Sequence, residues 1–181
     1  MDDKKYNLLD EPWICVMKEN GEVKELSLMD VLLHAHQYRR LAGELPTQDV
    51  AVLRLLLAVL QTVVYRYDTD GNEDELVETE DAYERWKEIW NDGKLPDKPI
   101  QEYLTKWKAR FYLYDSDRPF YQVPKAAIGT ECKAAKLNGE ISESSNKLRL
   151  FSNRAGKEKE FLSNSEAARW LLYLNGYDDT S

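Results

Sequence analysis

An α+β fold, with helices around a buried central one and small antiparallel sheets, is predicted by three observations. Two apolar segments, Trp13–Met17 and Val23–Leu26, flank Glu19-Asn20-Gly21-Glu22, and Asn-Gly between such runs is the strongest short-range hairpin signal. Val50, Leu53, Leu56, Leu57 and Leu60, with Val52, Leu55 and Val59 between them, make one segment apolar almost all round, the pattern of a buried helix. Elsewhere apolar residues recur at helical spacing behind capping residues. The chain has 181 residues, 43% hydrophobic and 32% charged. A domain of that size buries roughly 70% of its unfolded surface, so a single core needs no staples.

Each element has its local reason. After the hairpin, Ser27 offers an N-cap, with Asp30 three residues on, for a helix through Met29, Leu32 and Leu33. Thr47, after Pro46, is the expected cap of the apolar helix. A third helix is expected over about Asp81 to Asp92, with Tyr83, Trp86, Ile89 and Trp90 on one stripe and Gly93 just past its end. Pro99 suits the first position of a fourth helix carrying Ile100, Tyr103, Leu104 and Trp107. Arg110 to Tyr114 alternates like a strand and ends in Asp115-Ser116-Asp117 turn chemistry. From Lys125 to Asn146 a long loop is expected, then a short strand from Lys147 to Phe151. Ser163 and Glu166 form a capping box for a last helix through Ala167, Trp170, Leu171 and Leu174, closed near Gly176.

Composition narrows the function classes. Five Trp, eleven Tyr and four Phe must find burial somewhere, which excludes a disordered acidic chain. Cys15 and Cys132 are too few for a disulfide scaffold or a structural zinc site. No apolar stretch follows the charged first residues, and Val50 to Tyr65, interrupted by Arg54 and Gln61, falls short of a membrane span. A soluble, cytoplasmic protein without membrane contact is the expectation.

Catalytic and metal chemistry have little to stand on. Asp68-Thr69-Asp70-Gly71-Asn72-Glu73-Asp74 resembles a calcium loop, but its sixth position is Glu73 instead of Gly and its twelfth is Thr79 instead of Glu. A solvated acidic loop is the better reading. His34 and His36, two apart on a helix, point to different faces and cannot chelate together; one facing the core and one facing water is expected. Cys15, among apolar neighbours, reads as a buried inert thiol. No nucleophile elbow, phosphate loop or dinucleotide fingerprint is present. Neither an enzyme, a metal nor a cofactor is expected.

Charge distribution is more informative. The net charge is −8, which on its face disfavours a nucleic-acid partner. Nine acids lie between Asp68 and Glu84 without a Lys or Arg; without that stretch the remainder is +1. Lys125 to Glu160 holds eight basic residues against five acids. A charged loop is most often merely solvated. Here, however, Phe151 lies amid Arg149, Asn153 and Arg154, an aromatic beside donors suited to an unpaired base. Gly129, Gly139 and Gly156 permit the loop to order on binding.

Several motifs then converge on one family. Asn7-Leu8-Leu9-Asp10-Glu11-Pro12-Trp13-Ile14, Tyr38-Arg39-Arg40-Leu41, Leu45-Pro46-Thr47-Gln48-Asp49, Arg110-Phe111-Tyr112-Leu113-Tyr114 and Arg118-Pro119-Phe120-Tyr121-Gln122 together resemble the N-terminal domain of the CasA family. CasA is the large subunit of the type I-E CRISPR Cascade surveillance complex, which serves antiviral defence. The resemblance spans most of residues 1–181 and leaves out Asp68–Glu84, which reads as a variable insertion. It implies a non-catalytic subunit whose partners are other Cascade subunits, the 5′ handle of the CRISPR RNA and double-stranded target DNA. It also implies a share in reading the protospacer-adjacent motif and in docking a helicase-nuclease. In such systems base pairing reads the target and protein reads only a short flank.

The family's Phe-x-Asn element is matched by Phe151-Ser152-Asn153, so Phe151 and Asn153 are the implied nucleic-acid contacts. Lys147, Arg149, Arg154 and Lys157 are added for their local charge. The chain is expected to stop short of the family's glycine-rich loop and C-terminal helical bundle. The competing reading, from a different class, is a protein-interaction domain that works through its acidic patch without touching nucleic acid.

Overall fold

A computed structural model describes residues 4–128, 134 and 161–177. The described residues form two small antiparallel sheets and five α-helices, so the α+β expectation holds. Residues Lys147 to Phe151 lie outside the described residues, as does most of the long loop.

The N-terminal segment closes a two-stranded sheet. β1 (Lys5–Asn7) pairs antiparallel with β5 (Tyr112–Tyr114), Lys5 opposite Tyr114 and Asn7 opposite Tyr112. β1 was not legible in the sequence, since three residues carry no period and the pairing spans most of the chain. Asn7 anchors the turn that follows: its amide Nδ2 donates to the Lys108 carbonyl at 3.1 Å and its Oδ1 accepts from the Leu9 N–H at 3.0 Å. Trp13, wholly buried, donates its indole N–H to the Leu8 carbonyl at 2.9 Å. The buried ring therefore leaves no polar atom unpaired.

β2 (Ile14–Lys18) is the middle of a three-stranded sheet, flanked by β3 (Val23–Leu26) and β4 (Tyr38–Leu41). The Asn-Gly hairpin joins β2 to β3 as predicted, with Gly21 at φ +83°, a conformation glycine adopts without steric cost. Ser27 caps α1 (Leu28–Leu33): its hydroxyl accepts from the Asp30 N–H at 3.1 Å and donates to the Asp30 carboxylate at 2.8 Å. α1 ends at His34, whose ring Nδ1 lies 3.0 Å from the Asp30 carbonyl, and both His34 and His36 are exposed. The expected core-facing histidine is absent because the helix stops before either could turn inward.

α2 (Pro46–Arg66) is the hub of the core, packing against α4 (Asp97–Trp107) and α5 (Asn164–Tyr177). Two expectations about it need correction. Thr47 is not the cap; Pro46 opens the helix, and Asp49 and Gln48 reach back to the Gly43 and Glu44 N–H groups at 2.8 and 3.2 Å. Nor is α2 buried all round: Ala51, Val52, Leu55, Leu56, Val59 and Val63 face the core, whereas Val50, Leu53 and Leu57 are exposed. At 21 residues it is also long and apolar enough to cross a membrane, contrary to the shorter run read from the sequence. Its buried face instead carries the core, and a buried Gln48 sits in that face.

α3 (Thr79–Asp92) begins two residues earlier than expected, in a capping box between Glu78 and Asp81, and ends at Gly93 with φ +67°. The predicted aromatic stripe is present but not buried: Trp86 is 54% and Trp90 70% exposed, stacked on each other at 5.4 Å. Helical spacing defines a stripe, but not what covers it. In α4, Pro99 is the third residue instead of the first, still among the N–H groups that no helix satisfies. The Ser163–Glu166 capping box is reciprocal as predicted, at 2.7 and 3.2 Å, and α5 runs through Gly176 to Tyr177. From α5, the buried Arg169 donates to the Trp13 carbonyl at 2.6 Å and to Glu25 Oε1 at 2.5 Å, joining the helix to the hairpin.

Candidate nucleic-acid interface

Lys147, Arg149, Phe151, Asn153, Arg154 and Lys157 lie outside the described residues, so the structure brings none of them together. The described residues flanking that stretch are a short 3₁₀ turn, Pro124–Ile128, before it and α5 after it. The Tyr114 hydroxyl donates to Asn164 Oδ1 at 3.0 Å, tying the first residue of α5 to the end of β5.

The chain between β5 and that 3₁₀ turn is built by local hydrogen bonds. Asp115 Oδ1 accepts the N–H groups of Asp117 at 2.9 Å and Arg118 at 3.2 Å, an Asx-type turn that reverses the chain. Those two backbone donors, the Asp117 N–H foremost, hold the Asp115 carboxyl below its ordinary range, and Lys4 at 3.7 Å adds to the effect. The reversed chain is then pinned to β5. Phe120 N–H donates to the Tyr112 carbonyl at 2.9 Å, and the Gln122 amide donates to the Leu113 and Phe120 carbonyls at 2.8 and 3.2 Å. Beneath it the buried Phe111 and Phe120 rings stack at 5.7 Å.

This construction presents one cationic, aromatic concavity of about 430 Å³, lined by Arg110, Asp117, Arg118, Tyr121, Gln122 and Pro124 among others. Arg110 has no ion-pair partner among the described residues. Arg118 Nε lies 3.2 Å from Asp117 with both side chains well exposed, and such a pair contributes little. Tyr121 sits at φ +54°, half exposed, its ring 4.8 Å from that of Phe120. Arg110, Arg118 and Tyr121 stand in the aromatic motifs singled out in the sequence. Their meeting was not predictable there, because the Asp115 turn and the Gln122 bonds create it.

The acidic stretch is organised quite differently. Asp68 accepts the Asn72 N–H at 2.7 Å and its amide at 2.8 Å, and Asp74 pairs with Arg85. Oxygens that a calcium loop would turn inward are thus spent on the chain itself. Arg85, the one buried side chain of α3, gathers the turn by donating to the Val64, Tyr67 and Asp74 carbonyls at 2.8–2.9 Å. Between α3 and the second half of α2 lies an open apolar groove of about 1150 Å³ that includes Leu60, Trp86, Ile89 and Trp90.

Cys15 is half-buried, and burial pushes its thiol up to about 11. It is therefore protonated at neutral pH and a poor nucleophile.

Comparison with known proteins accounts for nearly the whole chain. A sequence profile of the family described as CRISPR-associated protein Cse1 matches residues 7–180. The chain is 32% identical over 169 residues to the CRISPR-associated protein CasA/Cse1 of Thermus thermophilus, covering 93% of this chain and 31% of that protein. It is similar in structure to Thermobifida fusca Cse1, with a TM-score of 0.75 at 33% identity over 98% of this chain and 31% of that one. A chain of a structure described as a CRISPR RNA-guided surveillance complex, pre-nicking, shares the fold with a TM-score of 0.76 at 20% identity, covering 96% of this chain and 34% of its own length. The present chain thus spans about a third of the length of these relatives.

Proposed function

This chain belongs to the CRISPR-associated Cse1 family, and on that premise we propose that it is part of a non-catalytic, cytoplasmic subunit of an RNA-guided surveillance complex of the Cascade type. Its partners are the other Cascade subunits, the 5′ handle of the CRISPR RNA and double-stranded target DNA. Its work is positioning. The segment carrying Phe151 and Asn153, supported by Lys147, Arg149, Arg154 and Lys157, engages the handle or the DNA backbone, while the fold holds that segment against neighbouring subunits. Within the longer subunit this contributes to reading the protospacer-adjacent motif and to docking the helicase-nuclease.

The match of the family profile across residues 7–180 carries the reading. Local chemistry supports it. Arg110, Arg118 and Tyr121 line one concavity, and the nine acids of Asp68–Glu84 sit on other elements. The held-protonated Cys15 offers no nucleophile.

A salt titration of handle RNA and duplex DNA binding, with the subunit reconstituted in its complex, tests the reading. Affinity falls linearly with salt on logarithmic axes when basic side chains displace counterions from phosphates. A Phe151→Ala, Asn153→Ala variant is expected to bind more weakly than the parent; equal binding by both contradicts the assignment. A second reading makes the acidic face a contact for a neighbouring protein subunit. The exposed Trp86 and Trp90 favour it, since aromatic anchors left in solvent usually meet a partner. Loss of assembly in a Trp86→Ala, Trp90→Ala variant with nucleic-acid binding unchanged is its signature.

A further inference from the structure

We propose that the concavity formed by Arg110, Arg118 and Tyr121 is a subsite for one unpaired nucleotide, with the base on the Tyr121 ring and its phosphate between the two guanidinium groups. The inference rests on the nucleic-acid reading above and goes beyond it, adding a contact in the described fold that the Phe151 segment does not supply.

Four observations carry it. First, the concavity has the size for a nucleotide, at about 430 Å³. Second, its lining combines what a nucleotide requires, the Tyr121 ring and apolar side chains together with two arginines. Guanidinium groups suit phosphate oxygens bidentately, and base–aromatic stacking is indifferent to base identity. Third, the cations are available: Arg110 has no ion-pair partner among the described residues, and the solvent-exposed pair of Arg118 with Asp117 yields readily to a phosphate.

Fourth, the ring is presented rather than floating. Tyr121 takes a left-handed conformation at φ +54°, uncommon for an aromatic residue. It is held there because both neighbours are fixed: Phe120 is buried and Gln122 is bonded to two carbonyls. Residues kept in sparsely populated conformations cluster at functional sites. A ring locked by its neighbours loses little entropy on stacking, which favours binding. Asp117, which also lines the concavity, opposes a phosphate there, so the phosphate must displace it from Arg118.

The test uses fluorescein-labelled octauridylate and octadeoxythymidylate, titrated against the 181-residue chain by fluorescence anisotropy. Six proteins are compared: the parent, Tyr121→Ala, Tyr121→Trp, Arg110→Ala, Arg118→Ala and the Phe151→Ala, Asn153→Ala variant. All substituted side chains at position 121 project from an exposed site, so far-ultraviolet circular dichroism is expected to match the parent. The subsite predicts about a tenfold weaker affinity for Tyr121→Ala and recovery in Tyr121→Trp. It also predicts that Arg110→Ala and Arg118→Ala each flatten the logarithmic salt slope by about one. Tighter binding of the ribose probe assigns the nucleotide to RNA; tighter binding of the deoxyribose probe assigns it to DNA. Weakening by the Phe151 and Asn153 changes with none by Tyr121→Ala overturns the subsite and leaves the proposed function standing. No binding by the parent overturns the subsite, while the reconstituted-complex titration above judges the function separately. No effect of either set of changes on a parent that binds overturns both.

Discussion

Two regions of this molecule carry exposed aromatics beside arginine, and they use the same residue types in opposite ways. In one, Trp86 and Trp90 stack on α3, and the nearby Arg85 is buried, its donors spent on three backbone carbonyls and Asp74. Around it the chain is acidic, so the field repels phosphate. In the other, Tyr121 stands with Arg110 and Arg118, both exposed. An exposed aromatic says little until its neighbours are known. With acids around it the surface suits a protein partner, and with solvent-exposed guanidinium groups it suits a nucleotide.

The largest expected effect separates the two arginine roles. Arg85→Leu leaves the Val64, Tyr67 and Asp74 carbonyls without their donor and is expected to destabilise the fold by about 2–4 kcal/mol, read as a shift in the urea midpoint. Arg110→Leu, at an exposed side chain with no ion-pair partner among the described residues, is expected to leave that midpoint within about 0.5 kcal/mol. Equal effects of the two would erase the distinction.

Next in size, Gly93→Ala at the C-terminus of α3 is expected to cost about 1 kcal/mol. A Cβ there meets nothing within 4 Å, so the φ of +67° is the whole penalty. Urea denaturation measures it, and a neutral result would mean that the α3 terminus relaxes freely.

A pH series probes the basic end. The folded Asp115 carboxyl is held below its ordinary value, so its contribution to stability is present above the unfolded value, about pH 4, and is lost as pH falls through the lower folded value. The parent is expected to lose more stability than Asp115→Asn between about pH 5 and pH 2. Identical acid limbs would show that the Asp115 turn does not hold the Arg118 segment. Smallest of all, Trp86→Ala and Trp90→Ala are each expected to change stability by less than about 0.5 kcal/mol, because neither ring is in the core. A large loss in either would show that the groove belongs to the fold rather than to a partner.

What the sequence revealed follows the range of the interactions involved. The Asn-Gly hairpin, the Ser27 cap, the Ser163–Glu166 box and the Gly93 terminus were legible because each is settled within a few residues. The alternation that predicts a strand at Arg110 to Tyr114 is met by β5, whereas β1 and its pairing with β5 were not legible, since the three residues of β1 have no pattern of their own. The all-round burial expected of α2 does not hold, because apolar spacing records which residues share a face and not what lies against it. The site was legible only in part. Phe151 and Asn153 were found through a family motif and lie outside the described residues. Arg110, Arg118 and Tyr121 were visible as residues, but the turn at Asp115 that gathers them is a three-dimensional event.

The central claim is that nucleic acid meets the Arg110–Tyr121 end and its adjoining segment, and not α3. Ultraviolet crosslinking of the reconstituted complex to its RNA and target DNA, followed by mass spectrometric identification of the linked peptides, tests it most directly. Crosslinks are expected in peptides containing Tyr121 and Phe151, with none in the peptide containing Trp86 and Trp90. Crosslinks confined to the α3 peptide would contradict the account.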